Sequence, residues 1–317
     1  MKYILFTLLC CLPFLLPGQS GKLKPADLER LVAAEAELRS LAYVMATDSS
    51  EEKRYTACKA LITGLVEALK TPNSYQYDFP NLEGVKILAD PNNSFRLFTW
   101  ELFINSDEYR HFGAVQRNRK ELDLTPLIDR GDALRENPEN VQLPADRWLG
   151  YVAYNIMPGG TYAGQDYYFV FGYDRYETYR RRKVLDVLSF NAAGKPVFGL
   201  PVFVTYTPEG LLLADRQRLI LEYAAESTVT LRFDPDLGNV VYENLILVPG
   251  GNNEGPVFLP DGSYHALEYG EDGRWTEVDK IFTHTYEEAP REAAKAPGGL
   301  DILGRPTGGG GSVPKKN

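Results

Sequence analysis

Within the stretch GYDRYETYRRRK, Tyr173, Tyr176 and Tyr179 recur at every third position, and Arg180, Arg181, Arg182 and Lys183 follow without a break. A guanidinium presents a planar fork of N–H donors that matches carboxylate and phosphate groups. A tyrosine ring offers a rigid amphipathic face with a hydroxyl at its edge, which suits sugars and peptides. Tyr173, Tyr176, Tyr179, Arg180, Arg181 and Arg182 are therefore the candidate ligand-binding residues. The competing structural explanation is a solvated hairpin whose charges deter pairing at a sheet edge.

Carboxylates are the second source of chemistry. Cleavage of a glycosidic bond needs two acids across the scissile bond, and such a pair leaves no local signature. Asp186, in KVLDVLSF, alternates with Val184, Leu188 and Phe190. It falls on an apolar strand face, where an unpaired carboxylate holds its proton more tightly. Glu222, in RLILEYA, shares a face with Arg218 and Ile220. These two are the candidate catalytic residues, and a structural ion pair is the simpler account of both.

Other chemistries find no support. His111, His265 and His284 form no pair at ligand spacing, and H-E-x-x-H is absent. The run Asp234-Pro235-Asp236-Leu237-Gly238-Asn239 departs from a calcium loop, with Gly238 at the fifth position and Leu245 at the twelfth. It reads as a hairpin turn. There is no G-x-S-x-G, no P-loop and no G-x-G-x-x-G. No metal site and no cofactor are expected. The formal net charge of -9 argues against a nucleic-acid partner, which needs a basic surface.

The elements that must position these residues begin after a leader. Lys2, the apolar run from Ile4 to Leu16 and the following Pro17-Gly18-Gln19-Ser20 have the layout of a secretory signal peptide, assigned to residues 1–18. That run is too short to span a membrane, and no later run is long enough. The protein is expected to be secreted, periplasmic or extracellular, without a transmembrane segment. Cys58 would then have no internal disulfide partner. It lies on one apolar stripe with Leu61, Leu65 and Leu69 and is read as a buried thiol.

Helical spacing of Leu28, Leu31, Ala34, Leu38, Leu41 and Met45 predicts a first helix. Ser49 and Glu52 have the spacing of a capping box that opens a second. The two form a helical hairpin over residues 24–71. From 75 to 286 the chain reads as an antiparallel β domain: β-branched and aromatic runs separated by Gly, Asn, Asp and Pro. Asp261-Gly262 and Asp272-Gly273 are the strongest hairpin signals. The expected fold is mainly β, an antiparallel meander behind the helical hairpin. Four strand groups, at 84–130, 148–206, 211–250 and 255–280, suggest propeller-like blades; a sandwich or barrel fits the same pattern. The tyrosine–arginine stretch becomes the connection between strands 166–173 and 183–190. Residues 287–317, rich in Ala, Pro and Gly, read as a flexible tail.

The segments NNSFRLFTWEL, YRHFGAVQRN, RWLGYVAYNI, YYFVFGYD, KVLDVLSFNAAGKPVFGLPVF, LILEYAAESTVTLRFDP and GPVFLPDGSYHALEYGEDGRW together resemble, in this order, a family of uncharacterised secreted proteins from Bacteroidota. The resemblance implies an envelope-associated protein and transfers no catalytic residue. Taken together, these observations lead to the expectation of a non-catalytic envelope or extracellular binding module, with an envelope glycan, an anionic polymer or a protein as partner. A glycan-acting hydrolase and a structural envelope scaffold are the alternatives.

Overall fold

The computed structural model describes residues 21–134, 138–207, 210–250 and 255–278. The expected leader at 1–18, the tail at 287–317 and the last residues of the expected β region lie outside the described residues.

Two helices come first, α1 (Pro25–Thr47) and α2 (Glu51–Leu69). Pro25 sits in the first turn of α1, where its missing N–H costs nothing. The cap of α2 is Ser50, whose side chain accepts from the Lys53 N–H. It is one residue later than the Ser49–Glu52 spacing suggested. Asp48 accounts for the shift, because its carboxylate accepts from the Ser50 N–H and closes the turn before the helix. Leu31, Leu38, Ala42 and Met45 of α1 pack with Cys58, Leu61, Leu65 and Leu69 of α2. No described helix is long and apolar enough to cross a membrane.

Antiparallel sheets follow. The first contains β1 (Lys86–Ala89), β2 (Phe95–Asn105), β3 (Glu108–Arg117) and β4 (Leu124–Ile128) in sequence order. The middle sheet is built from β5 (Leu143–Pro144), β6 (Val152–Tyr162), β7 (Gln165–Asp174), β8 (Arg180–Phe190) and β9 (Pro196–Phe198), ordered β5-β9-β8-β7-β6. The last sheet takes β10 (Phe203–Tyr206), β11 (Leu212–Arg216), β13 (Leu231–Asp234), β14 (Asn239–Val248), β15 (Val257–Tyr269) and β16 (Trp275–Val278). β12 (Leu219–Ala224) leaves that sequence neighbourhood and pairs with β8. β10 and β16 pair in parallel, the exception in an otherwise antiparallel set. Among the described residues no barrel closes and no propeller forms, since β12 and β16 pair outside the strand groups that would have been blades.

Period-two alternation layers these sheets. Phe98, Trp100 and Leu102 of β2 face the helices, whereas Phe95 and Leu97 face the middle sheet, with Val170, Val184 and Leu188 opposite them. The other face of the middle sheet presents Phe169, Phe171, Leu185 and Val187 to Val240, Leu267 and Trp275 of the last sheet. Each fully buried Leu, Val or Phe contributes on the order of 1.5–3 kcal/mol. The middle sheet is thus covered on both sides, which is why YYFVFG and KVLDVLSF are near-continuous apolar runs.

Candidate functional site

At one end of the interlayer between the first and middle sheets, apolar positions give way to charge. Along β2 the inward series Phe95, Leu97, Thr99 continues to Glu101, and its cross-strand neighbour on β3 is His111. Along β7 the series Tyr168, Val170, Gly172 ends at Asp174, which pairs with Arg182 of β8. Arg182 in turn pairs with Glu222 of β12. Because alternate residues share a face, Glu101, His111, Asp174, Arg182 and Glu222 all point into the same end of the interlayer.

His111 is its centre, with a side chain 4% exposed. Its Nδ1 lies 3.5 Å from Asp129 Oδ2; its Nε2 lies 3.7 Å from Asp174 Oδ1 and 4.0 Å from Glu101 Oε2. Burial pushes the imidazole pKa down, but Asp129, Asp174 and Glu101 outweigh it and raise the value above the ordinary one. Asp129 is fixed by the backbone: its Oδ2 accepts from the His111 N–H at 2.9 Å and its Oδ1 from the Gly131 N–H at 2.8 Å. Burial opposes its ionisation, yet His111 and these N–H groups hold its carboxyl below the usual range. Asp174 goes the other way. Burial raises its pKa by more than His111, the Tyr176 N–H and Arg182 lower it. One cluster therefore holds a firmly ionised carboxylate and a carboxyl biased toward its proton, a pairing suited to acid–base work.

His111, Asp129 and Asp174 line a cleft of about 440 Å³. Tyr55, Tyr109 and Tyr176 border it, with Arg110, Arg130 and Arg182. Three residues of the tyrosine–arginine stretch therefore reach the cleft, Asp174, Tyr176 and Arg182, the last two stacked with the guanidinium carbon 3.3 Å from the ring centre. Tyr176 has φ 47°, a left-handed conformation that costs a non-glycine residue of order 1 kcal/mol or more.

The rest of the stretch is dispersed by the same alternation. β8 begins at Arg180, so the connection from β7 is shorter than the sequence suggested and the arginines lie mostly in a strand. Arg180 and Arg182 both bind Glu222, at 3.1 Å and 2.8 Å. Arg181 turns back to donate to the carbonyls of Arg175 and Arg180. Tyr173 falls on the opposite face of the sheet, with Lys183 Nζ 5.3 Å from its ring centre, and Tyr179 is exposed. Across the connection, Arg175 Nε binds Glu101 Oε1 at 2.7 Å, and Thr178 donates to the Ser106 carbonyl at 2.9 Å. The turn is thereby tied to the β2–β3 hairpin.

Asp186 is fully buried. Its Oδ1 accepts from Arg218 Nε and from the Val187 N–H, both at 2.9 Å, and its Oδ2 from the Tyr151 hydroxyl at 3.2 Å. Arg218, equally buried, also donates to the carbonyls of Pro138 and Val141. This is an ion pair inside the core, and Glu222 is likewise engaged by two arginines. His111, Asp129 and Asp174, which the motif search did not select, are the acid–base groups that face the cleft. A signal for two of them was present in the sequence: the inward series on β3 and β7 run into His111 and Asp174, whereas Asp129 lies beyond the end of β4.

Among the described residues no group of His, Cys, Asp and Glu is arranged to hold a metal ion. Comparison with protein-family models, with curated proteins and with solved structures gives no match to this chain.

Proposed function

We propose that the protein is a secreted, non-catalytic binding module of the cell envelope or extracellular space, and that a glycan chain occupies the cleft floored by His111. The observation that carries this reading is the convergence of Tyr55, Tyr109 and Tyr176 with Arg110, Arg130 and Arg182 around one concavity. Aromatic rings pack against the C–H faces of sugars, and guanidinium forks donate to their oxygens. Among the described residues the cleft lining contains no Ser, Thr or Cys, so none of them offers a side-chain nucleophile of those types to a ligand there. The secreted location rests on the leader-like N-terminal residues.

The test is co-sedimentation of residues 20–287 with purified peptidoglycan and with envelope polysaccharide, beside the double variant Tyr109→Ala, Arg130→Ala. Binding lost in the variant is the expected result. Equal pelleting of both proteins, or none by either, removes the cleft as the binding face and favours a scaffold.

A second reading has its own support, the opposite pKa displacements of Asp129 and Asp174. On that reading the cleft belongs to a glycan-acting hydrolase, with Asp174 as the acid and Asp129 as the base. Release of new reducing ends in the same incubations, abolished by Asp174→Asn, would decide for it.

A further inference from the structure

Two carboxylates hold the turn that brings Tyr176 to the cleft. Asp174 Oδ1 accepts from the Tyr176 N–H at 2.9 Å, and Glu101 Oε1 binds Arg175 Nε at 2.7 Å. Both carboxylates also face one nitrogen. His111 Nε2 lies 3.7 Å from Asp174 Oδ1 and 4.0 Å from Glu101 Oε2. These separations are too long for hydrogen bonds, so what acts across them is charge. The turn needs this hold, because Tyr176 has φ 47°, and such a conformation persists only where its surroundings impose it.

The proton on Nε2 sets the sign of the charge. Asp129, held ionised, stands 3.5 Å from Nδ1, so the proton that the neutral ring keeps is the one on Nδ1. With both nitrogens protonated, the ring attracts Asp174 and Glu101 and the turn is drawn against β3. With Nε2 bare, its lone pair faces carboxylate oxygens and the contact becomes repulsive. Asp174 relieves this only by keeping a proton itself, and burial biases it that way, so the two groups titrate as a coupled pair. Among the described residues, the charged groups acting on the ring are Glu101 from β2, Asp129 from beyond β4 and Asp174 from β7. The nearby cations do not replace the lost proton: Arg182 of β8 is engaged by Glu222, and Arg175 of the turn by the far oxygen of Glu101.

We infer that the proton on His111 Nε2 is a latch on the cleft. While it is in place, Glu101 and Asp174 hold the turn and Tyr176 stands at the cleft, stacked on Arg182. Its loss as pH rises frees the turn and releases the ligand. The latch stands on this geometry, and its effect on a ligand rests on the reading of the cleft as a glycan-binding site.

NMR titration of the intact, isotope-labelled protein from pH 6 to pH 9 tests the latch. The Tyr176 amide is expected to shift with the midpoint of the His111 ring. In His111→Gln, whose side chain does not titrate, the amide should stay in place. Asp174→Asn keeps an acceptor for the Tyr176 N–H but removes the charge, so it too should abolish the shift, and it serves should His111→Gln fail to fold. Co-sedimentation with purified peptidoglycan and with envelope polysaccharide at the two ends of this range tests the release. Affinity for the polymer that pellets the protein should fall about 10-fold from pH 6 to pH 9, and the fall should vanish in both variants. A Tyr176 amide that ignores the His111 titration, or that shifts equally in the variants, overturns the latch. Pelleting that is the same at both pH values overturns the release and leaves the glycan reading standing. No pelleting at either pH, with the Tyr176 amide still following His111, defeats the glycan reading and supports the latch alone.

Discussion

His111 is held between opposed influences: burial favours the neutral ring, and three carboxylates favour the charged one and prevail. The sign of the resulting pH dependence follows from linkage. Because its folded pKa is above the ordinary 6.5, His111 contributes stability that is fully present below that value. The contribution is lost as pH rises through the folded pKa. Asp129, depressed below 3.8, contributes stability above that value and loses it as pH falls through the folded pKa. Asp174, raised by burial, behaves like His111 and favours folding while it keeps its proton. His111 thus weakens the fold as pH rises above 6.5, and Asp174 does so as pH rises above 3.8 through its own folded value. Thermal unfolding followed from pH 5 to pH 9 should show the melting temperature falling with pH, and the slope should flatten in His111→Gln. Parallel curves for the two proteins would remove His111 as the source.

At the scale of elements, the site depends on how a turn seats Asp129. A parallel bridge links Asp129 to Trp148, and the chain beyond it passes Gly150, at φ +83°. A Cβ built there would lie 2.4 Å from Asp129 Oδ1. Gly150→Ala therefore meets both a left-handed backbone and the carboxylate that holds His111. Gly164, at φ +78° with open space around it, meets only the first. Gly164→Ala should cost about 1–2 kcal/mol. Gly150→Ala should cost more in a urea melt, and it should also move the His111 imidazole titration toward its ordinary range by NMR. Equal costs with an unchanged titration would show that Asp129 is not seated by this turn. The Asp-Gly pairs show how much local chemistry the sequence carried at this scale. Asp272-Gly273 does turn the chain between β15 and β16, where the Gly270 N–H donates to the Arg274 carbonyl. Asp261-Gly262 has the same residues and Gly262 the same positive φ, yet β15 runs straight through it. There the carboxylate accepts from the Ser263 N–H and from the Asn244 side chain of β14, and the pairing with β14 shifts register by a bulge. A left-handed glycine specifies a local bend, and distant pairing decides whether that bend is a hairpin or a bulge.

At the scale of the layered sheets, pairing partners were the part least legible in the sequence. The run KVLDVLSF announced a strand, and its near-continuous apolar character announced cover on both faces. Nothing local announced that β8 would take β12 on its free edge, or that β10 would join β16 across some seventy residues of chain (Phe203 to Trp275). Such contacts arise from the packing of whole faces. The same consideration explains why the tyrosine–arginine stretch looked like one patch. Only with β7 and β8 in register do Tyr173 and Lys183 separate from Asp174 and Arg182 onto opposite faces. The layering also predicts a gradient of local stability. β7 from Phe169 to Phe171 and β8 from Val184 to Leu185 have paired strands on both edges within a sheet that is itself covered on both sides. They can open only by separating two cores, so their hydrogen exchange should require global unfolding. β11, at an edge of the last sheet with Leu212 exposed, should exchange through local opening and be the first strand labelled. Proton–deuterium exchange read by mass spectrometry over a denaturant series distinguishes the two regimes. Protection of β7 and β8 should fall with denaturant at the slope of the global transition, and that of β11 should hardly change. If β7 and β8 instead opened with the shallow slope of β11, the middle sheet would not be the layer on which the others rest, and the end of the interlayer that holds His111 would lose its rigid support.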